Sequence, residues 1–254
     1  MSPDDGLPDG LREHQTSDAP APALLEDLVV GNRILSKMSI LDGFGHVSVR
    51  HDKRPDRFLL ARSMAPGLVT ADDILEFGMD GEPVMGRAPK VHIERFIHSE
   101  IYKRRPDVGA IVHSHSPSVI PFTVTEVPLR AIYHMNSFLN GGAPVFEIRE
   151  TAGTCSDMLI RDARLGAALA ESLGDSAVAL MRGHGYVVVG STIKTAVMRA
   201  VYTETGAKVQ ADALKLGPVK YLTPEEAANA AAANDGAVHK AWDLWKAQVL
   251  GETP

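Results

Sequence analysis

Between Val108 and Ser118 the chain reads VGAIVHSHSPS, an apolar, β-branched run that ends in two histidines one residue apart. A run of that kind is the pattern of a buried strand. Side chains alternate faces along a strand, so His113 and His115 point the same way and both rings can reach one ion. A His-x-His pair is common, however, and as a bare pattern marks structure or surface more often than metal. A metal site needs further ligands elsewhere in the chain.

With 254 residues, 44% hydrophobic and 23% charged, the chain has enough apolar material for one α/β domain. A formal net charge of -6 leaves no basic field for nucleic acid or an anionic membrane. The single cysteine, Cys155, excludes an internal disulfide framework and a thiolate-rich zinc site. The acidic start MSPDDGLPDG has neither a basic leader nor an apolar core, and no run reaches about 18 apolar residues. A cytoplasmic protein is expected. Residues 1–20 are too polar and Pro/Gly-rich to offset their ordering entropy and are expected to be a mobile tail, leaving 21–254 as a single domain.

Apolar periodicity predicts a helix from Ala23 to Ile40, a second from Lys90 to Arg105 ended by Pro106, and a third from about Asp157 to Leu173. The TADD capping pattern predicts a helix start at Thr70, and Asp80-Gly81 predicts a hairpin turn. GFGHVSVR and RFLLARS read as strands. SAVALMRGHGYVVVG reads as two strands joined by a turn that presents His184 between Gly183 and Gly185. Two further helices follow, the last entered through Thr223-Pro224-Glu225-Glu226 and carrying Trp242 and Trp245. Glu94, at the start of the second helix, taken by itself reads as a solvated, dipole-favoured helix end well ahead of a catalytic group. Three imidazoles with a carboxylate or water suit a borderline divalent ion such as Zn2+, Mn2+, Fe2+ or Co2+.

Taken in order, GHVSVR, the Glu94-to-His98 segment followed by RRPDVGAIVHSHSP, and LMRGHGYVVVG resemble the class II aldolase/adducin family from about Leu24 to Glu226. The resemblance implies a three-layer α/β/α fold with a mixed central sheet, assembled as a homotetramer with active sites at subunit interfaces. It implies one divalent ion per chain, Mn2+ or Zn2+ ahead of Fe2+ or Co2+, held by His113, His115 and His184. It also makes Glu94 a catalytic acid/base or an extra ligand.

The departures bear on substrate. The sugar-phosphate aldolases usually have Asn where this chain has His46, and a Thr-Pro-Ser-Gly loop where ARSMAPG keeps only Ser63. Their Ser-Ser phosphate donors are replaced by His92 and Ile93, and an acting Tyr aligns with His134, beside Tyr133. These replacements are similar to the family's decarboxylase branch, which acts on ortho-hydroxy aromatic carboxylates in pyridine (vitamin B6) and phthalate degradation. Glu94, His92 and His134 are then the candidate proton donors. His46, Arg50, Arg62, Ser63 and Tyr133 are the candidate substrate contacts, although for each arginine a structural ion pair is an equal alternative. Two other readings stand beside this one: an aldolase cleaving a sugar phosphate or 2-keto-3-deoxy acid, and a non-catalytic adducin-like module, which should have lost metal ligands.

Overall fold

The computed structural model describes residues 18–85 and 90–251. Residues 1–17 of the expected tail lie outside these. Asp18 and Ala19 are already tied to the domain, through Arg54 at 3.2 Å and Lys53 Nζ at 2.6 Å.

Helix α1 (Pro22–Lys37) precedes a meander of β1 (His46–Arg50), β2 (Arg57–Ala61) and β3 (Ile74–Gly78). Next come α2 (Arg95–Arg104), β4 (Ala110–Ser114), the one-turn α3 (Ile120–Thr123) and a 3-10 segment His134–Leu139. Then follow β5 (Val145–Phe146), α4 (Ile148–Ala152), α5 (Ala163–Leu173), β6 (Val178–Met181) and β7 (Gly185–Gly190). The long helices α6 (Ile193–Leu216) and α7 (Pro224–Leu250) close the chain.

The seven strands form one sheet in the order β3-β2-β1-β4-β7-β6-β5. All neighbours are antiparallel except β5 and β6, so the sheet is mixed. Alternate residues of each strand feed opposite cores. Val47, Val49, Val112 and Val188 face α1, α6 and α7, whereas Phe58, Ile111, Val187 and Val189 face α2 and α5. That is the expected α/β/α architecture. With helices on both faces, β4 and β7 are buried throughout, which explains their continuous rather than alternating apolar sequence.

Three expected helix starts are corrected. The capping box at Thr70 forms, but its turn ends at Asp73 because Ile74–Gly78 pairs with β2 from Ala61 to Arg57. The second helix begins at Arg95 rather than Lys90: the Lys90 carbonyl accepts from Ser63 N at 2.8 Å, so that stretch runs as a connection along the sheet edge. The third begins at Ala163, where Asp162 accepts from Leu165 N at 2.8 Å and caps the helix. Asp157–Arg161 is a loop in which Met158 takes φ 71, an uncommon value for a side chain of that size.

Candidate metal centre

Antiparallel pairing brings one end of every neighbouring strand to a common edge. His113 at the end of β4 pairs with His46 at the start of β1, and Ser114 with Tyr186 near the start of β7. The β6–β7 turn carries His184 to the same edge. Gly183 takes φ 64 there, and a Cβ on Gly185 would lie 2.2 Å from the Ser114 carbonyl, so both glycines are required by the turn and by the close approach of β7 to β4.

Among the described residues, one group could hold a metal ion: Glu94, His113, His115 and His184, whose ligand atoms all lie within 4.8 Å of one another. The His115 Nε2 stands 3.1 Å from His113 Nε2 and 3.2 Å from His184 Nε2. The other nitrogen of each ring decides what these contacts are. His113 Nδ1 donates to the Tyr186 carbonyl at 3.0 Å, His184 Nδ1 to the Met158 carbonyl at 2.8 Å, and His115 Nδ1 to the Asp42 carboxylate at 3.3 Å. Because a carbonyl or carboxylate oxygen only accepts, the ring hydrogens sit on Nδ1. The three Nε2 atoms therefore aim lone pairs at one point, an arrangement that is repulsive without a cation and is the donor set of a divalent ion.

Glu94 is the N-cap residue of α2 and is 7% exposed. Its Oε1 accepts from Ile160 N at 2.9 Å, and its Oε2 lies 3.5 Å from both His113 Nε2 and His184 Nε2. Burial alone pushes the carboxyl up, but the His113 and His184 rings outweigh it and hold Glu94 well below the usual carboxylate range. For His184, burial works downward while Glu94 pulls the ring above its ordinary value. For His115, burial and the neighbouring His113 and His184 push the pKa down to about 4. An ionised carboxylate beside three inward-facing lone pairs is a charge arrangement suited to a cation.

Further rings lie behind the cluster. His46 is buried between His92, at 4.7 Å between ring centroids, and His113, at 5.0 Å. Its Nδ1 is 2.7 Å from His98 Nε2, and His98 Nδ1 is 2.6 Å from Ser48 Oγ. Burial pushes His92 down to about 4 and His46 and His98 well below the ordinary imidazole value. From sequence His98 stood out only as the residue four places after Glu94 and was given no role in the site.

The remaining expected residues divide. Arg62 and Ser63 follow β2 at the site edge; Arg62 Nε donates to Asp73 at 2.7 Å, and Ser63 N pairs with Lys90, two residues before His92. Tyr133 precedes the 3-10 segment and His134 begins it; that segment packs against α6 and α7, and neither residue makes a polar contact with the cluster among the described residues. Arg50 is a correction. It lies at the far end of β1, and its guanidinium donates to the backbone carbonyls of Pro55, Tyr102, Arg105 and Val108, so it ties down chain rather than substrate. A separate cleft of about 490 Å³, lined by Arg105, Val178, Gly190, Arg199 and Asp235 among others, opens at the opposite strand ends and shares no residue with the cluster. No helix of the described chain is long and apolar enough to cross a membrane.

Comparison with known proteins follows the same lines. The family model described as Class II Aldolase and Adducin N-terminal domain matches residues 26–211. Decarboxylase tropJ from Talaromyces stipitatus is 37% identical over 253 residues, covering 91% of this chain and 95% of that protein. A 3,4-dihydroxyphthalate decarboxylase from Arthrobacter keyseri is 28% identical over 198 residues, covering 71% and 74%. In fold, L-fuculose 1-phosphate aldolase from Glaciozyma antarctica superposes with a TM-score of 0.73 at 23% identity, covering 89% of this chain and 88% of that one.

Proposed function

Because the chain belongs to the class II aldolase and adducin family, we propose that it is a divalent-metal-dependent carboxy-lyase acting on an ortho-hydroxy aromatic carboxylate or dicarboxylate, in aromatic or pyridine degradation. The observation that carries this reading is Ile93, which stands 49% exposed between His92 and Glu94. The sugar-phosphate aldolases resembled by this chain have phosphate-donating hydroxyls at that place. An aliphatic group there donates nothing to phosphate and gives a ring an apolar face to rest on. Phe44, 77% exposed on the turn whose Asp42 orients His115, adds a second such surface. Relatives named as decarboxylases support the reaction type, and 3,4-dihydroxyphthalate is itself an ortho-hydroxy aromatic dicarboxylate.

His113, His115 and His184 would hold the ion, with Glu94 as a further ligand or immediate neighbour. Bound there, Mn2+ or Zn2+, or else Fe2+ or Co2+, supplies Lewis acidity toward the hydroxyl and carboxylate oxygens of the substrate. Glu94, ionised and fixed by Ile160 N, would take the hydroxyl proton and return it to the ring carbon that bears the carboxylate. Loss of CO2 then returns the C–C bonding pair to the ring and restores aromaticity. His92, the neighbouring candidate for proton transfer, and His46, Arg62 and Ser63, candidates for a second carboxylate, all lie at the same strand edge. We assign Tyr133 and His134 a place only if the site is completed between subunits of a homotetramer.

Protein purified without chelator is expected to carry about one divalent ion per chain and to release CO2 from 3,4-dihydroxyphthalate or a related ortho-hydroxy aromatic dicarboxylate. Retro-aldol cleavage of fuculose- or ribulose-phosphate without CO2 release from any of these dicarboxylates would overturn the proposal.

A further inference from the structure

Behind the ligand histidines, four buried groups form one hydrogen-bonded chain whose direction can be deduced from its closed end. Tyr102 is 1% exposed, and its hydroxyl lies 2.8 Å from Ser48 Oγ, its one polar partner among the described residues. A buried phenol hydrogen without an acceptor is costly. Tyr102 therefore donates to Ser48. The serine hydrogen then has one place to go, His98 Nδ1 at 2.6 Å, which must be an unprotonated acceptor. His98 consequently carries its hydrogen on Nε2 and donates to His46 Nδ1 at 2.7 Å. With Nδ1 accepting, a neutral His46 carries its own hydrogen on Nε2. That atom has no protein partner among the described residues, and the His46 ring lies against those of His92 and of His113, one of the clustered histidines. The reverse direction would leave the Tyr102 hydrogen orphaned inside the protein.

We propose that Tyr102, Ser48 and His98 are positioning residues that lock His46 in the tautomer bearing hydrogen at Nε2, so that His46 presents a neutral N–H donor to an anionic oxygen of the substrate. A neutral imidazole in this form polarises an oxygen without giving up a proton. The donor also discriminates: a substrate lacking an acceptor at that place leaves the buried N–H unpaired. Contact with substrate rests on the carboxy-lyase reading, whereas the direction of the chain does not.

Solid-state NMR of the full chain, labelled with 15N-histidine and loaded with Zn2+, reads both ring nitrogens of His46, assigned by their absence in His46→Gln. The expected spectrum has a protonated Nε2 and an unprotonated Nδ1, and the Nε2 signal shifts on titration with an ortho-hydroxybenzoate. Ser48→Asp offers only acceptors and should reverse the chain, moving the His46 hydrogen to Nδ1 and weakening the ortho-hydroxybenzoate by roughly 10-fold or more, the worth of one donor to a charged oxygen, with Zn2+ content unchanged. Ser48→Thr keeps the hydroxyl and should keep both properties. Should Ser48→Asp fail to fold, the wild-type spectrum and its titration still decide. A wild-type His46 protonated at Nδ1 overturns the relay. A correct tautomer whose Nε2 signal ignores the ortho-hydroxybenzoate overturns the substrate contact. A correct tautomer and titration with no CO2 release from any substrate overturns the carboxy-lyase reading and leaves the relay standing.

Discussion

Asp42 is the most informative residue to perturb, because the other two acceptors that orient the ligand rings are backbone carbonyls. Its carboxylate receives Nδ1–H of His115 at 3.3 Å and also the N–H groups of Phe44 at 2.8 Å and Gly45 at 3.0 Å. Removing such an orienting partner costs about 10- to 100-fold in metal affinity. The Asp42 side chain is 51% exposed and its bond to His115 is long, so water screens it. Asp42→Asn, which keeps an acceptor oxygen, should therefore sit near the lower end, at about 10-fold or ~1.4 kcal/mol. Asp42→Ala also frees the turn that carries Phe44 and should approach about 100-fold. Burial of Asp42 works upward, but the Phe44 and Gly45 N–H groups and His115 hold its carboxyl below the usual value. It stays ionised at neutral pH, and its support is lost only as pH falls through that depressed value. Competition titration of Zn2+ against a chromophoric chelator at pH 7 and pH 5 measures the effect. Affinity of Asp42→Ala within about two-fold of wild type would refute the orienting role.

Three further outcomes are expected. Glu94→Gln keeps the bond to Ile160 N but loses the charge; turnover should fall by about 100-fold or more while Zn2+ or Mn2+ content is retained, and unchanged turnover would remove Glu94 from the chemistry. Glu147, drawn down to about 2 chiefly by the Arg149 side chain, stabilises the fold above the unfolded-state carboxyl value and loses that contribution as pH falls toward 2. Melts of Glu147→Gln should differ from wild type at neutral pH and converge in acid; a constant difference is the contrary result. Gly185→Ala should markedly lower the melting temperature and metal content together, since its Cβ meets the Ser114 carbonyl, whereas Gly43→Ala, with nothing within 4 Å, should change neither.

What the sequence shows of this site depends on whether side chains or main chain carry the signal. Strand alternation put His113 and His115 on one face and a tight turn presented His184 between two glycines, but only the family resemblance made the three a ligand set. The three-layer fold came from the resemblance of the ordered motifs to the family; length and apolar content by themselves implied only one α/β domain. The loop Asp157–Arg161 was not legible: its contributions are the Met158 carbonyl and the Ile160 N–H, which any sequence provides, and its apolar residues extend the helical pattern of α5. The i, i+4 spacing of Glu94 and His98 was legible, but not that Glu94 caps α2 and that His98 is bonded to His46 and Ser48, because those partners come from β1. Arg50 looked like an anion partner because a sequence does not show that four carbonyls surround it.

Two of the three clustered histidine rings are aimed by peptide carbonyls, those of Tyr186 and Met158. No single codon change can delete a carbonyl, so this part of the centre is shielded from point mutation in a way that a carboxylate-oriented ligand is not. The residues that would meet a substrate, Phe44, His46, His92 and Ile93, carry no such protection and are exchangeable one at a time. New reactions on this scaffold are therefore reachable by small mutational steps that leave the metal grip untouched.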